Sequence, residues 1–190
     1  MASLIRTSIA LNNFSTSRVR ISPRAVNNLP TNSNLRFLNQ GGQTTVSNGS
    51  VSTKTIRLDD LPIPVNSKIL LVKIDVEGYE FNVIRSAMKL FESKRIEHLI
   101  FEYTAWWTDR APQKDFIPFI QKELKPKNVY TLHRHRSIVY GPLNQTVLDN
   151  FYEDHVKTHL QTDIYLDFVE KQPNDNILQV EPYVVGSSFA

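Results

Sequence analysis

Apolar positions recur along this chain with a changing period, and each change marks an element. From Ser3 to Leu11 the residues Leu4, Ile5, Ile9 and Leu11 fit one helical face, and Asn12-Asn13 ends it. Val19 and Ile21 alternate within Arg18 to Val26, which predicts a short strand stopped by Pro23. Residues 27–52 are rich in Asn, Thr, Ser and Gly and enclose the alternating stretch Leu35 to Leu38, so they read as a polar hairpin.

The pattern strengthens at Lys68. Ile69-Leu70-Leu71-Val72-Lys73-Ile74-Asp75-Val76 is nearly unbroken aliphatic sequence, the habit of a strand buried on both faces of a parallel sheet. Glu77-Gly78 makes a turn. Phe81, Ile84, Ala87, Met88 and Phe91 then follow helical spacing, with Glu80 in the first turn where an acid suits the helix dipole. A second strand runs from Ile96 to Tyr103, and a helix lies within Asp115 to Leu124, with Pro118 in its first turn or kinking it. Val129 to His133 is a third strand, Val147 to Leu160 an amphipathic helix, and Ile164 to Val169 a last strand. Alternating strands and helices predict an α/β fold, a Rossmann-like sheet with helices on both faces.

With 41% hydrophobic and 22% charged residues, a chain of 190 residues has the makeup of one globular domain. No run of eighteen apolar residues occurs, so no membrane span is expected. Cysteine is absent, which excludes disulfides, a thiolate nucleophile and thiolate zinc sites. The net charge of +3 is unevenly spread: no Asp or Glu precedes Asp59, whereas Arg6, Arg18, Arg20, Arg24, Arg36, Lys54 and Arg57 do. An acid-free, Arg- and Ser-rich start is a mark of mitochondrial targeting, the alternative to the favoured cytoplasmic location. These basic residues are spaced singly, with only Phe14 and Phe37 as aromatics among them, so nucleic acid is not an expected partner. The Asn-x-Ser/Thr matches at Asn13, Asn48 and Asn144 read as chance in such a composition.

In open parallel sheets ligands bind beyond the carboxyl ends of the strands. Two predicted strands end in acid there, one at Asp75 with Glu77 just after it, the other at Glu102. If the strands are neighbours, three carboxylates gather on one rim, suited to a metal, a general base or a hydroxyl-bearing ligand. A single rim acid is more often a cap or an ion-pair partner. Asp75, closing a nearly unbroken apolar strand, is read as functional. His133-x-His135, flanked by Arg134 and Arg136, reads as a solvated basic strand end more readily than as a metal pair, having no third ligand near in sequence. Trp106-Trp107 either walls a pocket or packs beneath the next helix.

Leu71-Val72-Lys73-Ile74-Asp75-Val76-Glu77-Gly78-Tyr79-Glu80 resembles the signature of the FkbM family of S-adenosylmethionine-dependent methyltransferases, a lysine-apolar-Asp-apolar-Glu-Gly-x-Glu run closing the fourth strand. Thr55 to Leu61, with Leu58-Asp59, resembles the Leu-Asp element that precedes it, and Ile100-Phe101-Glu102 resembles the acid ending the fifth strand. The resemblance implies methyl transfer to a hydroxyl of a sugar or other small molecule. It implies Asp75, Glu77 and Glu102 at the acceptor, and Gly78 and Ala25 among the cofactor contacts. It divides the chain into residues 1–54, which match the same domain loosely, a core over 55–170 and a tail over 171–190.

The family's first strand, its Gly-rich loop and the ribose-holding acid of its second strand have no counterpart here. Gly41-Gly42 follows Asn39-Gln40, not an apolar strand. The expectation is therefore an N-terminally truncated, incomplete copy, inactive alone, in which Ile69 to Val76 has a bare edge. Such an edge leads to a homodimer, or to a non-catalytic remnant that binds a protein partner. A metal-dependent hydrolase built on Asp75, Glu77, His133 and His135 is the weakest reading, and no metal is expected.

Overall fold

A computed structural model describes residues 2–15, 17–40, 43–169 and 179–186. The Gly41-Gly42 pair lies outside them. Two sheets form. The smaller takes β1 (Ala25–Val26), β2 (Asn34–Gln40), β3 (Gln43–Val46) and β4 (Val51–Ile56) in the order β1-β4-β2-β3. The hairpin expected over residues 27–52 is β2–β3. Of the strand expected from Arg18 to Val26, only Ala25–Val26 forms, parallel to Thr55–Ile56 of β4. Pro23 and the lack of a partner upstream account for the loss.

The larger sheet carries β5 (Ile69–Ile74), β6 (Ile96–Thr104), β7 (Asn128–Leu132), β8 (Ile138–Tyr140), β9 (Gln161–Asp167) and β10 (Gln179–Glu181). Their order is β10-β8-β7-β9-β6-β5, with β5 outermost. β5 and β6 run parallel, and β9 is antiparallel to both β6 and β7. That polarity brings the ends of β5, β6 and β7 and the start of β9 to one rim.

Strand alternation sends Val72 and Ile74 of β5, Leu99, Phe101 and Tyr103 of β6, and Ile164 and Leu166 of β9 to one face. There they meet α2 (Glu80–Arg85), α4 (Gln113–Phe119) and α5 (Gln145–Thr158) around Phe81, Ile84, Phe116 and Phe151. The opposite face bears Leu71, Lys73, His98, Ile100, Glu102, Asp163 and Tyr165, and none of these belongs to a buried apolar cluster. α1 (Ala2–Leu11) buries no residue. Among the described residues, then, helices pack against one face, where the sequence predicts both.

The helix expected from Glu80 through Phe91 is two pieces, α2 and α3 (Met88–Glu92). The break is made from outside the helix. The turn Leu58–Asp60 inserts there: Leu58 N–H donates to Ser86 Oγ and Asp59 N–H to Ser86 O. The Asp59 carboxylate, 2% exposed, accepts the N–H groups of Lys89 and Leu90 at the start of α3. α4 contains Pro118 and widens over Ile120–Leu124 into a π-helical turn, closed by Lys125 with φ 52°. Asn144 caps α5 by accepting from Val147 N–H. No helix among the described residues is long and apolar enough to cross a membrane.

Candidate functional site at the strand-end rim

β5 and β6 are neighbours in parallel register, with Ile74 beside Phe101, so Asp75 and Glu102 emerge on the same rim. Asp163 stands opposite Glu102 across the β6–β9 ladder. Lys73 reaches Asp75 at 3.4 Å and Asp163 at 3.9 Å, and Arg134 comes within 3.9 Å of Glu102 while donating to Gln161 at 2.9 Å. Asp163 and Arg134 escape a sequence reading of the site, because their membership depends on the antiparallel placement of β9.

The acids differ in their surroundings. The Asp75 side chain is 58% exposed. That of Glu102 is 19% exposed. Burial, and after it the charges of Asp75, Glu80, Glu77 and Asp163, pushes the Glu102 carboxyl up from 4.5 to about 7. The Arg134 pair is too long to reverse this. Such a raised carboxyl favours the folded state below pH 4.5, and that contribution is lost as pH rises through 7. A shift of this size carries roughly 3 kcal/mol, and screening of a partly wet side chain leaves about 1–2 kcal/mol. Urea unfolding from pH 5 to 8.5 should therefore cost the wild type about 1–2 kcal/mol more than Glu102→Gln. Equal slopes would mean that water, not the neighbouring acids, governs this carboxyl.

The turn after β5 is fastened from beneath. Glu77 and Gly78 both have left-handed backbone, φ 54° and 92°. Glu80, 2% exposed, turns its carboxylate back to accept Val76 N–H at 3.0 Å and Gly78 N–H at 3.2 Å. Burial raises its pKa, and these donors oppose the rise. Arg110 donates to Glu77 O and Gln113 to Gly78 O. Trp107 lies under Arg110 with 3.9 Å between guanidinium and ring, and both crowd Gly78. Trp106 stacks on His159 at 3.9 Å. The Trp pair thus fastens the loop after β6 to α5 and to the Glu77–Gly78 turn.

Both backbone polar groups of Gly78 are engaged within the chain: its N–H donates to Glu80 and its carbonyl accepts from Gln113. Ala25 sits in the smaller sheet, paired with Thr55. His133 is buried just past β7, and its Nδ1 accepts from His135 N–H and Arg136 N–H. The two histidines therefore do not share a strand face. Among the described residues no group of three metal-binding side chains occurs. Tyr79 Oη donates to Val46 O, tying the hairpin to the rim turn.

Set against protein families, residues 2–136 match the model described as the methyltransferase FkbM domain. No curated protein and no solved structure matches the chain.

Proposed function

The chain belongs to the FkbM methyltransferase family, and we propose that its rim is the acceptor side of a methyl-transfer site for a hydroxyl of a sugar or other small polyol. Asp75 and Glu77 hydrogen-bond the acceptor, and Glu102 takes the hydroxyl proton. The observation that carries this reading is Glu102: secluded at a strand end and pushed to about 7, it is the rim acid suited to hold a proton near neutrality. The order β7-β9-β6-β5, with β5 outermost, supports reading the sheet as the later part of a Rossmann-like methyltransferase sheet.

S-adenosylmethionine supplies the methyl group in this family. The described residues do not fit it: Gly78 is spent on the turn, and no Gly-rich loop lies beside β5. A second reading, a non-catalytic remnant binding a protein partner, is favoured by the exposed edge of β5.

Titration separates the two. With glycerol or monosaccharides, NMR amide shifts are expected at Val76 to Gly78 and at Thr104 and Ala105, weakened in Glu102→Gln. No shift at these amides would remove the acceptor site. In calorimetry the chain alone should bind S-adenosylmethionine more weakly than about 10 µM, roughly −7 kcal/mol; tighter binding would mean that a cofactor cradle exists.

A further inference from the structure

Every strand of the larger sheet except β5 and β10 has neighbours on both sides, and β5 is the longer and more apolar of the two edges. Ile69 N–H donates to Arg95 O, on the β6 side. In a parallel ladder both backbone groups of one residue point the same way and successive residues alternate. Leu70, Val72 and Ile74 therefore turn their N–H and C=O to the open edge. Side chains repeat the message: Leu70 is 68% exposed on one face and Leu71 49% exposed on the other. Isolated edges are usually guarded by proline, a bulge or an outward lysine. β5 has no proline, and its single charge, Lys73, is drawn along its own sheet to Asp75 and Asp163.

We propose that this edge pairs antiparallel with β5 of a second copy, Val72 opposite Val72. The edge is its own complement. Leu70 meets Ile74, Val72 meets Val72 and Ile74 meets Leu70, exchanging about six hydrogen bonds. On the far face Leu71 lies under the methylenes of the second copy's Lys73, whose ammonium stays with its own acids. A shift of register that centres the pair on Lys73 sets the two ammonium groups face to face, and one that centres it on Leu71 brings Lys68 opposite Ile74. Charge and backbone thus choose the same arrangement. The two-fold axis closes the sheet, leaves no further edge on this side, and puts the two rims at opposite ends of the joined strands, open to solvent. This pairing does not depend on the methyl-transfer reading, and oligomeric mass tests it without reference to activity.

The chain has no cysteine, so introduced thiols report the register cleanly. Light scattering at about 50 µM should give a dimer. Leu70→Pro removes an edge N–H that the chain itself does not use, and proline is tolerated on edge strands; it should weaken the dimer at least about tenfold, with circular dichroism unchanged. When Leu71→Cys and Lys73→Cys proteins are mixed and oxidised, the mixed disulfide should outpace both symmetric ones, since these positions face each other about 4.5 Å apart at Cα. A monomer at that concentration, open-ended aggregation, a dimer indifferent to Leu70→Pro, or a dominant Lys73→Cys homodisulfide would each overturn the proposal.

Discussion

Phe116→Ala is expected to lower unfolding stability by about 4 kcal/mol, the scale of deleting a fully enclosed aromatic ring. Phe116 is 0% exposed. Its ring meets Phe81 of α2 edge-on at 5.1 Å, Phe101 of β6 at 4.9 Å and Tyr103 at 6.0 Å. It touches both α2 and the centre of the sheet, so neighbours on rigid elements cannot close over the gap. Phe116→Leu, keeping most of the volume, should cost about 1–2 kcal/mol. Urea denaturation with an unchanged m-value reads both. A loss under about 1.5 kcal/mol for the alanine variant would mean that the site collapses freely and that α4 is not the clamp on this face. The rim would suffer with the core, because Arg110 and Gln113, which hold the Glu77–Gly78 turn, lie just before and at the start of α4.

The parts of this fold legible in the sequence are those in which one residue pattern decides one element. Ile69 to Ile74 needs no partner to be read as a strand, because six aliphatic or long-stemmed residues in a row have few other uses in a domain of this size. The Glu102 strand follows for the same reason, and their adjacency, which gathers the carboxylates, is what two parallel strands joined by a helix produce. What escaped depends on partners distant in sequence. Nothing in the run from Glu80 to Phe91 announces a break at Ser86-Ala87; Asp59, almost thirty residues earlier, supplies the cap that starts α3. β8 is three residues long, Ile138–Tyr140, all buried, and follows a basic loop whose charges conceal it. Glu80 reads as an acid suited to the helix dipole, yet its carboxylate turns inward and serves the backbone of the preceding turn. The motif's second glutamate is thus a brace, and its first stands at the rim.

Gly78→Ala should cost about 3 kcal/mol and disorder the rim. Two causes add. Gly78 has φ 92°, a conformation that costs an L-residue about 1–2 kcal/mol. A β-carbon there would also lie 2.7 Å from Arg110 Cδ and 2.7 Å from Trp107 Cε3, inside contact distance. Arg110 can swing away only by giving up Glu77 O and its place over the indole, and Trp107 is held between Arg110 and the turn. Relief of the clash therefore releases the bonds that aim Asp75 and Glu77. Glu77→Gly separates strain from bulk: Glu77 is also left-handed at φ 54°, so glycine there relieves strain and should leave stability within about 0.5 kcal/mol of wild type. Thermal unfolding measures both variants, and tryptophan fluorescence reports the Trp106–Trp107 pair beside the turn. If Gly78→Ala unfolds within about 1 kcal/mol of wild type with its tryptophan emission unmoved, the turn is not clamped, and the rim carboxylates owe their placement to β5 and β6 alone.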